Sequence, residues 1–350
     1  MDTSSQRKIL RVSPACEISD LAREITAALV GDGPTLGFGA ITSEYAPSNA
    51  AVAIGTSGTT GSSKEVLLTS TALISSARAS NKFIGAQPGN TWSLLLPLTH
   101  IAAVNVVMRS MELGTTPIDL RDLDGEYPKA DFTAIVPTQL FRALNGDQRL
   151  LNHLKSAKGV LVGGAALSQS LRNQAELAGV KVITTYGMTE TCGGCVYDGT
   201  PLDGVEIEIR NGRICVKGAV LASSIEINDG WYETNDLGEY DNDHLVVIGR
   251  SDDVIISGGE NLSLNAVENS LSLAFPDIQF AAFATEDPQW GQTLQLAVVG
   301  TISEDQIATH LEKELGAFAK PKGVHHMTSL PLLGIGKIDR KSLAKGIAHE

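Results

Sequence analysis

A segment dense in threonine, serine and glycine, with a single lysine, lies between two apolar runs: AVAIGTSGTTGSSKEVLLTS, residues 51–70. Small residues that tolerate unusual backbone angles let amides and hydroxyls converge on an anion, so the segment predicts a phosphate-binding loop. The loop of nucleotide triphosphatases requires G-x-x-x-x-G-K-[ST], but here Lys64 follows Ser63 and precedes Glu65. We therefore expect a different phosphate loop, with an ordinary surface turn as the alternative.

A second polar cluster, TTYGMTETCGGC (184–195), follows a predicted strand directly. Open α/β sheets bind ligands in loops of this kind, at the carboxyl ends of their parallel strands. Glu190 is a candidate ligand of Mg²⁺, which takes one or two carboxylates together with phosphates and water; the alternative is an ordinary surface glutamate. Cys192 and Cys195 have the spacing of a redox pair or half a zinc site, but no second C-x-x-C exists, so neither role is expected.

Three more clusters contain isolated charged residues. Asp236, in YETNDLGEY, is the type of carboxylate that accepts both hydroxyls of a ribose, although an aspartate there can also simply close a turn. Arg250 opens GRSDDVIISGGENL, where a glycine pair enters a predicted helix. Lys337, in LPLLGIGKIDR, supplies a cation to a glycine-bounded loop, or is merely solvated.

An α/β framework is expected to position these clusters, because strand-like and helix-like runs alternate over the first two thirds of the chain. The predicted strands are SLLLPL (93–98), FTAIVP (132–137), GVLVGGA (159–165) and KVITTYG (181–187). The predicted helices are VNVVMRSMEL, LSQSLRNQAELAG and LTSTALISSARAS, the last capped by Thr69 or Ser70.

After about residue 200 the sequence pattern changes to short strands of alternating apolar and polar residues. VEIEIRNGRICVKG predicts a hairpin that turns at Asn211 and Gly212. Further on, Ser303 and Gln306 form a capping box before a helix that carries Ile307, Leu311 and Leu315 on one face. We place a domain boundary near residues 250–253, which separates an N-terminal domain (1–249) from a C-terminal domain (250–350).

Composition excludes several classes of function. The 350 residues are 43% hydrophobic and carry a net charge of -13 with no basic block, so neither nucleic acid nor an anionic membrane is an expected partner. No apolar run is long enough to span a membrane, and the N-terminus lacks the apolar core of a signal peptide. With only four cysteines, a cytoplasmic location is expected.

The order and spacing of seven motifs resemble the adenylate-forming superfamily, which comprises acyl- and aryl-CoA synthetases, peptide-synthetase adenylation domains and luciferases. The motifs are TSGTTGSSKEV, LPLTHIAAV, GGAAL, YGMTET, YETND, GRSDDVIISGGENL and GIGKIDR, and the resemblance covers about residues 51–344. It implies a large α/β domain with a small β-barrel-like subdomain, followed by a small mobile α+β domain. It also implies ATP, Mg²⁺ and coenzyme A as ligands, and an acyl-adenylate that is converted to a thioester.

The resemblance further assigns roles to individual residues. Lys337 would bridge the substrate carboxylate and the α-phosphate as a compact point charge, Thr189 and Glu190 would serve the α-phosphate and Mg²⁺, and Asp236 and Arg250 would bind the ribose. The expected phosphate ligands are Thr56, Ser57, Gly58, Thr59, Thr60, Gly61 and Lys64, and the expected adenine pocket consists of Gly163, Gly164, Ala165, Tyr186 and Gly187.

Conversion to the thioester implies a domain rotation. By resemblance, Asp252 is the hinge, and Gly258 and Gly259 line a tunnel for the pantetheine arm of coenzyme A. The phosphate segment begins close to the start of this sequence, so an N-terminal subdomain common to the family is expected to be largely trimmed. Another subunit of a homo-oligomer is one source of the missing pocket wall.

The acid substrate is indicated by four residues. His100 occupies the family position that borders the acyl pocket, and Asn105 and Gly193 are expected to contact the substrate. Arg109, in a mostly apolar helix, is either solvated or anchors a carboxylate. Its position resembles that in the o-succinylbenzoate:CoA ligase subfamily of menaquinone biosynthesis, whose substrate is an aromatic dianion.

Two alternative functions share the ATP motifs: another aryl- or acyl-CoA synthetase, and an adenylation enzyme that loads a carrier protein. A non-catalytic binding protein is disfavoured because Lys64, Glu190, Asp236, Arg250 and Lys337 are all present.

Overall fold

A computed structural model of the protein describes residues 6–57, 63–251, 253–257, 259–276, 278–287, 291–333 and 337–347. For residues 57, 63, 332, 333, 337 and 347, only the backbone is described.

The phosphate segment lies in a five-stranded sheet near the N-terminus. The strands are β1 (Gln6–Arg11), β2 (Thr35–Phe38), β3 (Tyr45–Pro47), β4 (Ala50–Ser57) and β5 (Ser63–Thr69), in the order β3-β1-β2-β4-β5. β1, β2 and β4 are parallel, and the two edge strands are antiparallel to their neighbours. Helix α1 (Ile18–Val30) covers the sheet with the buried side chains of Leu21 and Ile25.

The structure corrects the expected strand-to-helix geometry of the phosphate segment. β4 is followed by a second strand, β5, and only then by helix α2 (Ser70–Phe83), whose N-cap is Thr69 as predicted. Lys64 therefore lies on a strand rather than in the loop. Val66 and Leu68 are fully buried and alternate with less buried neighbours, which is the period-2 pattern that makes this segment a strand.

A seven-stranded sheet forms the centre of the α/β framework. Its strands are β6 (Trp92–Leu94), β7 (Ile118–Asp119), β8 (Phe132–Ile135), β9 (Gly159–Val162), β10 (Val182–Met188), β11 (Gly193–Tyr197) and β12 (Thr200–Pro201), in the order β12-β11-β10-β9-β8-β6-β7. β7, β6, β8, β9 and β10 are parallel, while β11 and β12 are antiparallel. β6 ends earlier than predicted: the apolar run beyond it contains Pro97, which cannot donate a ladder hydrogen bond.

Helices α3 (Ile101–Glu112), α4 (Pro137–Leu144), α5 (Gln148–Ser156) and α6 (Gln169–Leu177) connect these strands. α2 and α3 pack against each other and against β11, and all three contribute to the largest hydrophobic core. Nine residues of α3 are buried, Ile101 and all of 103–110, and they include the polar Asn105 and Arg109.

The predicted hairpin opens a four-stranded antiparallel sheet. Its strands are β13 (Val205–Arg210), β14 (Arg213–Gly218), β15 (Tyr232–Asp241) and β16 (His244–Arg250). Asn211 and Gly212 both adopt positive φ angles, 50° and 78°, as the tight turn between β13 and β14 requires. This sheet occupies the place of the expected β subdomain.

The C-terminal region has a core of its own, which includes Ile255, Val267, Leu296, Ile307 and Leu311. Its elements are β17 (Val254–Ser257), β18 (Glu260–Ser263), α7 (Leu264–Ala274), β19 (Gln279–Asp287), β20 (Gly291–Val299), α8 (Glu304–Leu315), β21 (Gly323–His326), β22 (Leu332–Leu333), β23 (Lys337–Ile338) and α9 (Arg340–Ile347). The capping box of α8 is present as predicted.

The expected fold class, a larger α/β part followed by a smaller α+β part, is confirmed. The boundary at 250–253 and the mobility of the C-terminal domain stay predictions. No helix in the part of the chain that the structure describes is long and apolar enough to cross a membrane.

Candidate functional site

Lys64 lies close to Glu190 where the paired strands β4 and β5 lead into and out of the phosphate loop. Thr56 on β4 pairs with Lys64 on β5, and the Thr56 hydroxyl donates a hydrogen bond of 3.0 Å to the Lys64 carbonyl. The Lys64 ammonium lies 3.8 Å from the Glu190 carboxylate. A pair this exposed adds at most about 1 kcal/mol of stability, so its position beside the loop matters more than its strength. Residues 58–62, with the predicted ligands Gly58, Thr59, Thr60 and Gly61, lie outside the described residues, as does the side chain of Ser57.

Glu65 ties strand β5 to the segment that contains Thr42 and Ser43. Its carboxylate accepts hydrogen bonds from the backbone of Thr42 (2.6 Å) and Ser43 (3.0 Å) and from the Thr42 hydroxyl (2.8 Å). Burial raises the pKa of the Glu65 carboxyl, but these hydrogen bonds outweigh burial and lower the pKa to about 2. Because side chains alternate along β5, Glu65 and its neighbour Lys64 point to opposite faces.

Tyr186, Asp236 and Arg250 meet although they lie far apart in the sequence. Asp236 and Arg250 are directly opposite in the β15–β16 pair, with 3.5 Å between the guanidinium and the carboxylate. The Tyr186 hydroxyl donates a hydrogen bond of 2.8 Å to the other carboxylate oxygen. Burial and the negative charge of Asp236 raise the pKa of the Tyr186 phenol, so Tyr186 stays a donor that holds Asp236 in place.

The sequence analysis missed Tyr232. Burial, followed by the charges of Glu190 and Asp236, raises the pKa of Tyr232 to about 12, so its phenol lies within electrostatic reach of both predicted ligands. The signal was present in the sequence: Tyr232, Thr234 and Asp236 are spaced by two along a strand and therefore share one face.

The predicted adenine-binding glycines lie at the ends of two neighbouring parallel strands. Gly163 directly follows β9, next to Thr185 of β10, and a Cβ added there would lie 2.0 Å from the Thr185 hydroxyl oxygen. A Cβ at Gly187 would lie 2.0 Å from the Gly193 carbonyl oxygen. Neither position has room for a side chain, whereas Gly164 and Ala165 are exposed. This is the edge at which open parallel sheets bind ligands.

Thr189 and Glu190 lie in one short 3₁₀ turn after β10, which ends at Cys192 in a left-handed conformation (φ 54°). The thiols of Cys192 and Cys195 are buried, and burial raises the pKa of each to about 12. Both therefore stay protonated at neutral pH, and the absence of a metal or redox role stays a prediction.

Asn105 and Gly193, both expected to contact the substrate, contact each other. The Asn105 amide donates a hydrogen bond of 2.6 Å to the Cys192 carbonyl, and a Cβ added at Gly193 would lie 2.3 Å from the Asn105 side-chain nitrogen. The Asn105 side-chain oxygen is buried and has no hydrogen-bond partner among the residues described. His100 occupies the N-cap position of α3, where its Nδ1 lies 2.8 Å from the Thr99 hydroxyl.

Arg109 is buried, with 4% of its surface exposed, so the alternative of a solvated arginine is wrong. One terminal nitrogen donates a hydrogen bond of 3.0 Å to the Tyr197 hydroxyl, and the guanidinium lies 5.1 Å from the centre of the Trp92 ring. Its Nε has no hydrogen-bond partner, and no carboxylate within the described ranges pairs with it. Burying a cation without a counter-ion costs free energy of folding, unless a bound anion neutralises its charge.

The C-terminal residues are described only in part. Asp252 and Gly258 lie outside the described residues, and so does the side chain of Lys337. The backbone of Lys337 opens β23, where it pairs with Leu333. Gly259 has a φ of 90° and open space around its Cα, which leaves it accessible.

Arg340, three residues after Lys337, is the centre of an ion-pair network that the sequence analysis missed. Its guanidinium binds both oxygens of Glu268 (2.9 and 3.0 Å), lies 3.6 Å from Asp253, and donates to the Ala282 carbonyl (2.8 Å). Glu268 in turn accepts a hydrogen bond from the Ala282 amide. The network ties α9 to α7, β19 and the segment that follows Asp252.

Replacing Asp236 by asparagine is expected to raise the KM for ATP about tenfold and to change the KM for the acid little. The carboxylate is the group positioned by Tyr186 and Arg250, and a hydrogen bond to a charged group contributes about 1.5–3 kcal/mol. Steady-state kinetics with each substrate varied in turn measure the effect. Asp241→Asn, at the exposed end of the same strand, is the matched control. An unchanged KM for ATP would remove Asp236 from the nucleotide site.

Comparison with known proteins agrees with this geometry. Residues 9–223 match the AMP-binding enzyme family. A probable 2-succinylbenzoate–CoA ligase of Mycobacterium tuberculosis is 35% identical over 336 residues, which cover 88% of this chain and 87% of that protein. The 2-succinylbenzoate–CoA ligase of Escherichia coli K12 is 28% identical over 84% of this chain and 68% of its own length.

Two solved structures share the fold. An arginine-to-lysine variant of Escherichia coli MenE with bound OSB-AMS superposes with a TM-score of 0.74 at 26% identity, covering 88% of this chain and 71% of that one. The o-succinylbenzoate CoA synthetase of Bacillus subtilis, in complex with its acyl-adenylate intermediate OSB-AMP, gives 0.73 at 25% identity over 92% and 80% of the two chains. The chain belongs to the AMP-binding family of adenylate-forming enzymes, within which it is similar to the 2-succinylbenzoate–CoA ligases.

Proposed function

We propose that this chain is an ATP-dependent acid–CoA ligase that converts o-succinylbenzoate to o-succinylbenzoyl-CoA in menaquinone biosynthesis. The observation that carries the choice of substrate is Arg109, a buried guanidinium that has no carboxylate partner among the residues the structure describes. It lies on the helix that begins directly after His100. A dianionic acid would supply the missing charge with one carboxylate and present the other for activation. The relatives named 2-succinylbenzoate–CoA ligase support the same choice.

In the first step, an oxygen of the substrate carboxylate attacks the α-phosphorus of ATP. A new C–O–P link forms, and the bond from the α-phosphorus to the bridging oxygen breaks, which releases pyrophosphate. Two anions must approach each other, so positive charge and fixed hydrogen-bond donors are needed at the point of attack. Lys64 would neutralise the departing phosphates, and Lys337 would lie between the carboxylate and the α-phosphate.

The nucleotide would be held at the carboxyl edge of the central sheet. Asp236, fixed by Tyr186 and paired with Arg250, would accept the ribose hydroxyls. Gly163 and Gly187 let the ends of β9 and β10 pack closely against Thr185 and Gly193, and the adenine would lie along the edge that these strand ends form.

A magnesium ion fits the carboxylate that is present. Glu190 stands at the strand end with 18% of its side chain exposed and has Lys64 beside it. No cluster of three metal-ligating side chains occurs among the residues described, which is compatible with Mg²⁺, since that ion keeps several waters and binds one or two carboxylates plus phosphates. When bound, the ion would neutralise charge on the phosphates, while Glu190 would hold and orient it.

In the second step, the thiol of coenzyme A attacks the carbonyl carbon of the acyl-adenylate. A C–S bond forms, AMP leaves, and the thiol proton passes to the medium. We propose that the C-terminal domain rotates at Asp252 between the steps, replacing Lys337 by the face that carries Gly258 and Gly259. A cytoplasmic location and an acceptor in the form of free coenzyme A are parts of the same proposal.

The substrate assignment is tested by pyrophosphate exchange with a panel of carboxylic acids. We expect o-succinylbenzoate to support exchange with a kcat/KM at least about tenfold above that of acids with a single carboxylate. Competition between free coenzyme A and a carrier domain in the second step identifies the acceptor. Exchange that is equally fast with benzoate and o-succinylbenzoate would overturn the substrate assignment.

Replacing Arg109 by methionine is expected to raise the KM for o-succinylbenzoate about 10–100-fold, because a charge-assisted hydrogen bond contributes about 1.5–3 kcal/mol. The KM for ATP should change less than about twofold, because the nucleotide residues lie on other elements. Arg78→Met is the matched control: this arginine lies on the neighbouring α2, is exposed, and pairs with Glu112. An unaltered dependence on the acid would remove the anchoring role of Arg109.

A further inference from the structure

Tyr197 ends β11 inside the core between α2 and α3, with no exposed surface. Its hydroxyl oxygen lies 3.0 Å from a terminal nitrogen of Arg109 and 2.8 Å from the Ser80 hydroxyl of α2. A guanidinium has donors only, so the Tyr197 oxygen accepts from Arg109. The Tyr197 and Ser80 hydroxyls share the second hydrogen bond, so a chain of hydrogen bonds joins Arg109, Tyr197 and Ser80.

The Tyr197 ring is fixed on several sides. Phe83 packs edge-on against it, with 5.3 Å between ring centres and 80° between ring planes. On the other side the ring covers Gly194, where an added Cβ would lie 2.9 Å from a ring carbon. β11 is also paired with β10, with Tyr197 opposite Thr185. A rigid ring held in this way places its hydroxyl at one point, so the hydroxyl can orient a neighbouring side chain.

Arg109 itself is held from three directions. Its terminal nitrogen is bound by Tyr197, its guanidinium lies over Trp92, and its backbone carbonyl accepts a hydrogen bond of 3.0 Å from the Asn81 amide. None of these contacts supplies a negative charge. The guanidinium is thus oriented, but no charge among the described residues neutralises it, and its buried Nε has no hydrogen-bond partner there.

We propose that Tyr197 is a positioning residue of the acid-binding site: its hydroxyl, oriented by Ser80, fixes the Arg109 guanidinium for the second carboxylate of the substrate. This inference rests on the proposed function, since it names how that site recognises a dianion. Tyr197 touches Arg109 and not the reacting atoms, so its effect is confined to the recognition of the second carboxylate.

Tyr197→Phe is the direct test, because it keeps the packed ring and removes only the hydroxyl. The kcat/KM for o-succinylbenzoate is expected to fall about tenfold, mainly through KM, with the KM for ATP unchanged. Two analogues of the substrate have a single carboxylate: benzoylpropionate lacks the aromatic carboxylate, and propanoylbenzoate lacks the aliphatic one. Only the analogue that keeps the carboxylate to be activated can form an adenylate. With that analogue, Tyr197→Phe and the unaltered enzyme should have the same kcat/KM.

A double-mutant cycle with Arg109→Met isolates the pairwise effect. In the Arg109→Met background, Tyr197→Phe should have no further effect on the KM for o-succinylbenzoate. Ser80→Ala, which leaves both partners in place, should give a smaller increase of the same KM. Tyr240→Phe, an exposed tyrosine whose hydroxyl contacts the Ile207 carbonyl, is the control. A melting curve for each variant establishes that it folds.

The outcomes separate this inference from the proposed function. Equal losses with o-succinylbenzoate and with the active single-carboxylate analogue would show that Tyr197 acts on the fold, which overturns the inference. A strong effect of Arg109→Met with none of Tyr197→Phe also overturns it and leaves the proposed function standing. No effect of Arg109→Met on o-succinylbenzoate contradicts the proposed function itself. If Tyr197→Phe fails to fold, Ser80→Ala decides by the same comparison of the two acids.

Discussion

Lys337→Ala is expected to lower the rate of adenylate formation about 10²–10³-fold and to leave thioester formation from preformed acyl-adenylate within about twofold. In the proposed first step, the ammonium lies between two anions, where its positive charge stabilises the transition state. The second step has no such requirement, because the α-phosphate already carries the acyl group. Pyrophosphate exchange measures the first step, and thioester release from synthetic acyl-adenylate and coenzyme A measures the second.

The matched control for this experiment is Lys345→Ala, which removes an exposed ammonium from helix α9 downstream of Lys337. It should leave both steps unchanged. Equal losses of both steps in Lys337→Ala would contradict the use of different C-terminal faces in the two steps.

Arg340→Met is expected to destabilise the C-terminal region by about 2–4 kcal/mol. Removing one partner of a buried ion pair leaves the other charge uncompensated, at a cost of about 3–5 kcal/mol, and we reduce this figure because a quarter of the Arg340 side chain is exposed. The affected charges are those of Glu268 and, more distantly, Asp253. Urea unfolding, monitored by a spectroscopic signal from the C-terminal region, measures the change in the free energy of unfolding.

The loss in Arg340→Met should depend on pH with a defined sign. Burial raises the pKa of Glu268 to about 7, while Arg340 opposes the increase and Asp253 adds to it. The folded chain therefore binds this proton more tightly than the unfolded chain, and the contribution of Glu268 to stability decreases as the pH rises toward 7. Without Arg340 the pKa of Glu268 rises further, so the variant should continue to lose stability above about pH 7, where the loss in the unaltered chain levels off.

Two further variants complete the test. Arg340→Met combined with Glu268→Leu removes both charges and should recover most of the lost stability, since an apolar pair often replaces a buried ion pair without net cost. Arg340→Lys keeps the charge but loses the bidentate geometry, so its stability should lie between that of Arg340→Met and that of the unaltered chain. A pH-independent loss in Arg340→Met would show that packing and not the charge of Glu268 sets the effect.

Local chemistry explains the parts of the fold that the sequence predicted well. The turn at Asn211 and Gly212, the Thr69 cap of α2 and the capping box at Ser303 all depend on residues within four positions of one another. Strand β5 was not predicted because the apolar run between the loop and the Thr69 cap is short, although Val66 and Leu68 already alternate with their neighbours.

The site was predictable in its motifs but not in its contacts. Motif order assigned Tyr186, Asp236 and Arg250 to one nucleotide, and the structure brings them within hydrogen-bonding or ion-pair distance. The contacts of Arg109 with Tyr197 and of Arg340 with Glu268 join residues 88 and 72 positions apart. The local periodicity of the sequence does not predict such pairs, since both depend on how helices pack against sheets.

The burial of the two cysteines beside Glu190 has a consequence for a catalyst that handles a reactive mixed anhydride. An acyl-adenylate is an acylating agent, and a thiolate on the enzyme would intercept it and block further turnover. Cys192 and Cys195 are fully buried, with pKa values near 12, so neither is ionised at neutral pH. Burial therefore keeps these two thiols from competing with coenzyme A for the acyl-adenylate.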